Sequence, residues 1–162
     1  MSDEAVSARA RDLLAYDPAT GVFRWKRGSS GAPAGAEAGH ITRDGYRSIK
    51  MDGQPYFAHR LAWLIVKGEF PTLELDHKNR DRADNRIVNL REATSTQNHA
   101  NSSVKLGASG YRGVYFNKAK QKYHARIRVG RKAIHVGSFD LPEAAAAAAA
   151  LARSEQFGEF AA

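Results

Sequence analysis

The sequence predicts an α+β chain built from small antiparallel sheets and short helices, and three observations carry that prediction. Apolar periodicity switches between helix-like and strand-like several times within 162 residues. Two alternating runs flank Asp52-Gly53, a dipeptide suited to a two-residue hairpin turn. The C-terminal part sets three strand-like runs ahead of an alanine-rich helix that starts with Pro142.

Taken in order, Val6 to Leu14 reads as a short amphipathic helix, and "YDPATGVFRW" as a Pro/Gly turn leading into a strand. Residues 27–39, "RGSSGAPAGAEAG", are a small-residue loop. The hairpin around Asp52-Gly53 leads into "HRLAWLIVKG", where Leu61, Leu64 and Ile65 fall at helical spacing and a glycine stops the helix. That helix is expected to be buried against the hairpin. Residues 101–110, "NSSVKLGASG", read as a linker. The predicted division is therefore 1–102, a linker at 103–110, and 111–162.

The strand-like runs of the last section are 111–116, 122–129 and 132–137. In the middle run Tyr123, Ala125, Ile127 and Val129 share one face, and His124, Arg126 and Arg128 share the other. A three-stranded sheet with one apolar and one cationic face follows. Its cover is "PEAAAAAAALARSEQFG", residues 142–158, whose alanines permit close approach.

Composition narrows the function. No apolar run approaches the roughly 18 to 20 residues that span a bilayer, and the N-terminus lacks a secretory pattern, so a cytosolic location is expected and no membrane or protein partner is implied. The absence of cysteine excludes disulfides, thiolate catalysis and cysteine-based zinc sites. The net charge of +8 is uneven: residues 1–102 hold 15 Lys/Arg and 13 Asp/Glu, residues 103–162 hold 10 and 4. Val104 to Ser138 holds nine basic residues and no acid, as expected of a surface that meets phosphates.

Directly behind an apolar run, "LELDHKNRDRADNRIVNLREATSTQNHAN" sets Asp76 beside His77 and adds asparagines at 79, 85, 89, 98 and 101. Phosphodiester hydrolysis needs a base to activate water and a cation to stabilise phosphate charge. His77 can be that base. A hard cation prefers oxygen ligands, which Asp76 and an asparagine side chain supply. Neighbours on a strand face opposite ways, so the strand must end or twist at this pair. "TSTQ" fits a capping box with Thr94 as N-cap and Gln97 reaching back, which puts Asn98 near the start of a short helix. Asn89 is placed to pin the loop through its amide. Asn79, Asn85 and Asn101 read as turn or surface residues, and His59 as structural. His99 competes for the ligand position, about 100° round the helix from Asn98.

The order of strand, Asp-His, asparagine-rich loop ending in Asn-Leu, strand and Asn-bearing helix resembles the ββα-metal motif of HNH endonucleases, in the phage and intron-encoded branch that ends in Asn. "DHKNRDRADNRIVNLREATSTQNHAN" carries the likeness, with asparagines 13 and 22 residues after the Asp, and "YDPATGVFRW" and "AHRLAWLIVKGEFP" extend it upstream. The resemblance implies an N-terminal HNH domain with core motif 73–101, preceded by a small hairpin and helix section. It also implies His77 as general base, Asp76 and Asn98 as ligands of one Mg2+ or Mn2+ ion, and Asn89 as the residue positioning loop and histidine.

"YRGV", the "ARIR" strand and "GSFDLPEAA" resemble an APETALA/ethylene-response-factor type DNA-binding domain over about 50 residues. That family places its sheet in the major groove of double-stranded DNA, where arginine commonly reads guanine. The likeness implies DNA contacts by Arg112 and Arg128 and, on the same surface, by Tyr115, Asn117, Lys122, His124, Arg126, Lys132 and His135. Tyr115, Asn117, Ala133 and His135 depart from the plant residues, so no target sequence carries over. Lys118, Lys120, Lys122, Arg131 and Lys132 suit phosphate contacts. Together the two likenesses imply a metal-dependent, nicking DNA endonuclease of phage or mobile-element type. A DNA-binding regulator with an inactive HNH domain, or an RNA-binding module, are the alternatives.

Overall fold

The computed structural model describes residues 2–28, 31–102 and 106–161. They form two compact units, Met1–Ala93 and Thr94–Ala162. The division lies ahead of the expected 103–110 linker, of which residues 103–105 are outside the described residues.

The first unit begins with helix α1 (Asp3–Leu13), one turn earlier than the apolar periodicity alone predicts. Ser2 caps it by accepting from the Ala5 amide at 3.3 Å, and Asp3 and Glu4 meet the positive end of the helix dipole. Leu14, expected as the last residue of that helix, instead opens strand β1 (Leu14–Asp17), which pairs antiparallel with β2 (Val22–Trp25). The Pro/Gly turn is thus the tip of a hairpin. Asp17 shapes it, accepting from the Thr20 hydroxyl at 2.7 Å and the Ala19 amide at 2.9 Å.

A second small sheet has the order β3 (His40–Ile41), β4 (Arg47–Met51), β5 (Gln54–Phe57). Met51 faces Gln54 across the predicted two-residue turn, with Asp52 at φ 49° and Gly53 at φ 85°, the paired positive angles of a type I′ turn. Helix α2 (Ala58–Lys67) follows without a break and ends at Gly68 in the left-handed region. Leu61 and Leu64 are fully buried with Leu14, Phe23, Ile49 and Leu90 in one core. Strands β6 (Glu74–His77) and β7 (Leu90–Ala93) form the last antiparallel pair, joined by a loop that closes in a tight helical turn at Ile87–Asn89.

The second unit opens with helix α3 (Ser95–Asn101) and continues with β8 (Val114–Asn117), β9 (Lys122–Val129) and β10 (Lys132–Phe139), in sheet order β10-β9-β8. Helix α4 (Pro142–Phe157) covers the predicted apolar face, seating Ala145 and Ala149 against Val114 and Ala125. Alanine is the side chain that lets helix and sheet approach this closely. Leu141 occupies the N-cap with no side-chain bond, as its apolar character requires.

Candidate functional site: the β6–β7 loop and the cationic sheet

Strand β6 stops at His77. The Lys78 amide donates to the Asn89 carbonyl at 2.9 Å and the Arg80 amide to the His77 carbonyl at 2.8 Å, with Arg80 itself at φ 65°. The strand thus ends where the Asp-His pair requires it to. Both residues are buried, Asp76 5% and His77 4% exposed, and they meet different surroundings.

Asp76 lies opposite Arg91 in the β6–β7 ladder, and its Oδ2 accepts from Arg91 Nε and Nη2, each at 2.8 Å. Sequence reasoning missed this partner. The signal was the register of the hairpin, which needs both strand boundaries to be known. His77 instead meets two rings: His59 edge-on at 5.2 Å with an interplanar angle of 73°, and Tyr46 at 6.0 Å. His59, in the first turn of α2, is buried and also stacks on Phe57 at 5.5 Å.

Burial pulls the His77 pKa below its ordinary value, against the opposing pull of Asn85 and of the Asp76, Asp81 and Asp84 carboxylates. Burial, with the neighbouring His77 and Arg60, takes His59 down to about 3. Both rings are therefore held neutral near neutral pH, and for His77 that is the form a general base needs.

The loop between the strands is tied from three directions. Asn89 Nδ2 donates to the Asn79 side-chain oxygen at 3.0 Å and the Asp84 carbonyl at 2.9 Å, and Asn89 Oδ1 accepts from the Asn79 amide at 3.1 Å. Tyr16 donates to the Asn85 carbonyl at 2.8 Å. Gly21, at φ 75°, lies so close that a Cβ there would sit 2.5 Å from the Arg86 amide nitrogen. The hairpin β1–β2 is therefore the floor under the loop. Asn85 and Asn101, expected as turn or surface residues, are buried at 1% and 4% exposure, because the loop and helix turn these side chains inward. Asn79 is part of the Asn89 clamp.

Thr94 caps α3 in the predicted box: its hydroxyl accepts from the Gln97 amide at 3.3 Å and its own amide donates to Gln97 Oε1 at 2.8 Å. Asn98 is the fourth residue of that helix and half-buried. Among the described residues no three His, Cys, Asp or Glu side chains cluster as metal ligands. An Asp and an Asn offer oxygen alone, which fits a hard cation that keeps most of its water and does not fit zinc.

In the second unit, Tyr115, Arg126 and His135 form an aromatic and cationic group on the face of the sheet opposite α4. Arg126 lies over the Tyr115 ring at 4.8 Å, and the His124 ring meets Tyr115 at 5.3 Å and His135 at 5.0 Å. These neighbours leave His124 only 6% exposed, so it supports the face and does not present a contact. Arg128 and Lys132 are exposed. Lys122 pairs with Asp140 at 3.0 Å, Asn117 accepts from the Lys120 amide at 3.1 Å within the β8–β9 turn, and Arg112 Nη2 donates to the Ala100 carbonyl at 2.9 Å. Three expected contact residues thus also have structural partners.

Residues 56–100 match the HNH endonuclease family, a mid-chain segment where an N-terminal domain was expected. It runs from β5 through α2, β6 and β7 into α3 and includes Asp76, His77, Asn89 and Asn98. The chain is also 29% identical over 147 residues to an uncharacterized HNH endonuclease of Acanthamoeba polyphaga mimivirus, covering 90% of this chain and 68% of that protein. No solved structure matches significantly. The C-terminal resemblance lies beyond the matched family segment. No helix among the described residues is long and apolar enough to cross a membrane. Residues 56–100 are an HNH endonuclease domain, and the chain that carries it is an endonuclease.

Proposed function

We propose that the chain is a divalent-metal-dependent DNA endonuclease that nicks duplex DNA, with the 111–162 section as its DNA-binding domain. The observation that carries the reading is His77: a buried, neutral imidazole at the end of β6, directly after Asp76 and ahead of a loop clamped by Asn89. In the proposed step His77 Nε2 or Nδ1 takes a proton from water as the water oxygen attacks phosphorus. The bond to the 3′ oxygen breaks and that oxygen takes a proton from solvent, leaving 5′-phosphate and 3′-hydroxyl ends. Asp76 and Asn98 are the proposed ligands of one Mg2+ or Mn2+ ion, on the spacing of the motif. When bound, such an ion would neutralise charge on the phosphate and the departing oxygen. Arg91 fixes the Asp76 carboxylate, and the Asn89 clamp fixes the loop that follows His77.

The cationic face of the β8–β9–β10 sheet is proposed to enter the major groove, with Arg126 and Arg128 reaching base edges and lysines at the turns meeting phosphates. The host cell cytosol is the proposed site of action. Incubating the full chain and supercoiled plasmid with Mg2+, with Mn2+ or with EDTA tests the reading. Nicked circles carrying 5′-phosphate ends are expected with metal alone. Duplex binding that survives EDTA without cleavage under any condition would leave only the DNA-binding half.

A further inference from the structure

Within the C-terminal unit, β8 pairs with β9 only as far as Ala125, whereas β9 runs on to Val129. The Arg126 amide still donates to the Gly113 carbonyl at 2.8 Å, and beyond it this edge of β9 has no neighbouring strand among the described residues. A cleft of about 740 Å3 lies there, walled by the end of β9, the 112–113 turn, the last turns of α4 and one face of α3.

Its lining holds five arginines, Arg112, Arg126, Arg128, Arg131 and Arg153, and no acidic residue. Arg126 and Arg128 sit on the strand face turned away from α4, with Arg126 over the Tyr115 ring, which leaves Arg112, Arg131 and Arg153 as the cations of the cleft, and an anion of several oxygens would relieve their mutual repulsion. Arg153 donates to the Arg112 carbonyl at 3.3 Å and is half-buried, and that burial disfavours its charge. From the opposite wall α3 contributes Ser95, Thr96 and His99. Guanidinium and hydroxyl donors together are the chemistry that takes phosphate oxygens, and arginine does so in bidentate fashion.

We propose that this cleft is a second DNA contact, gripping backbone phosphates of the duplex through Arg131 and Arg153 on one wall and Ser95 and Thr96 on the other. The proposal rests on the reading of the sheet as a duplex-binding surface. It adds that the grip extends to α3, the helix that carries Asn98.

The test is fluorescence anisotropy of labelled duplexes of two unrelated sequences with the full chain, at salt from roughly 50 to 200 mM. Arg131→Gln alters an exposed turn residue, and Thr96→Glu puts an acid on the α3 wall; unchanged melting temperatures certify that both fold. Each variant should bind both duplexes several-fold more weakly, and Arg131→Gln should lower the slope of log affinity against log salt by about one. Equal affinity and slope for wild type and both variants, with weakened binding by Tyr115→Ala on the sheet, would overturn the cleft and leave the sheet standing. A loss confined to one sequence would also overturn it, because phosphate contacts carry no sequence preference. Absence of duplex binding by the wild type would remove both.

Discussion

Asp76 and Arg91 form a buried ion pair across the β6–β7 ladder, with both guanidinium bonds to one carboxylate oxygen at 2.8 Å. Removing one partner of such a pair leaves a charge in a site that water cannot serve, which costs more than the pair contributes. Arg91→Ala should therefore destabilise the protein by about 3–5 kcal/mol, read as a lower denaturation midpoint. A midpoint within error of wild type would show that Asp76 is held by other groups.

The Asn89 amide makes three hydrogen bonds inside the loop that follows His77. Asn89→Ala leaves the half-buried Asp84 carbonyl and the Asn79 amide without that partner, at a cost of about 1 kcal/mol. Cleavage should fall more than duplex affinity does. A parallel loss of both would point to general unfolding of the loop.

His59 gives the account a pH dependence. The unfolded chain protonates this ring near its ordinary value of 6.5, whereas the folded protein holds it neutral down to about 3. The stability that depends on the neutral ring is present above the unfolded value and is lost as pH falls through that window, at up to about 1.4 kcal/mol per pH unit. Denaturation followed from neutral pH to pH 4 should show a shallower decline for His59→Phe than for wild type. Identical slopes would mean that the ring is not buried neutral.

Features set by neighbours in the chain were legible in the sequence. Asp52-Gly53 specified its turn, Thr94 and Gln97 their capping box, and Pro142 with the alanine run the helix over the sheet, because each depends on residues a few positions apart. The Asp-His pair and its asparagine spacing likewise marked the loop. What was hidden depends on register and tertiary contact: Arg91 becomes the partner of Asp76 only once β6 and β7 are aligned, and His59 becomes the neighbour of His77 only once α2 folds back. Asn85 carries no signal of burial in a turn-rich segment, and becomes buried because Gly21 and Tyr16 close over its backbone. The strand at Leu14 was masked by the helical periodicity that runs into it.

On the DNA side, Lys132 is exposed at the start of β10. Lys132→Gln should weaken binding to all duplexes alike and reduce the salt slope by about one. A change that differs between sequences would assign Lys132 to base reading instead.

The central claim is that His77 is the base of a metal-dependent cut. Single-turnover nicking of supercoiled plasmid in Mg2+ measures it directly, with wild type and His77→Ala compared at equal bound fraction. Loss of a general base costs about a hundredfold or more in rate. The account predicts that His77→Ala binds plasmid as wild type does and nicks it at least about a hundredfold more slowly. Equal nicking rates for the two proteins would contradict it.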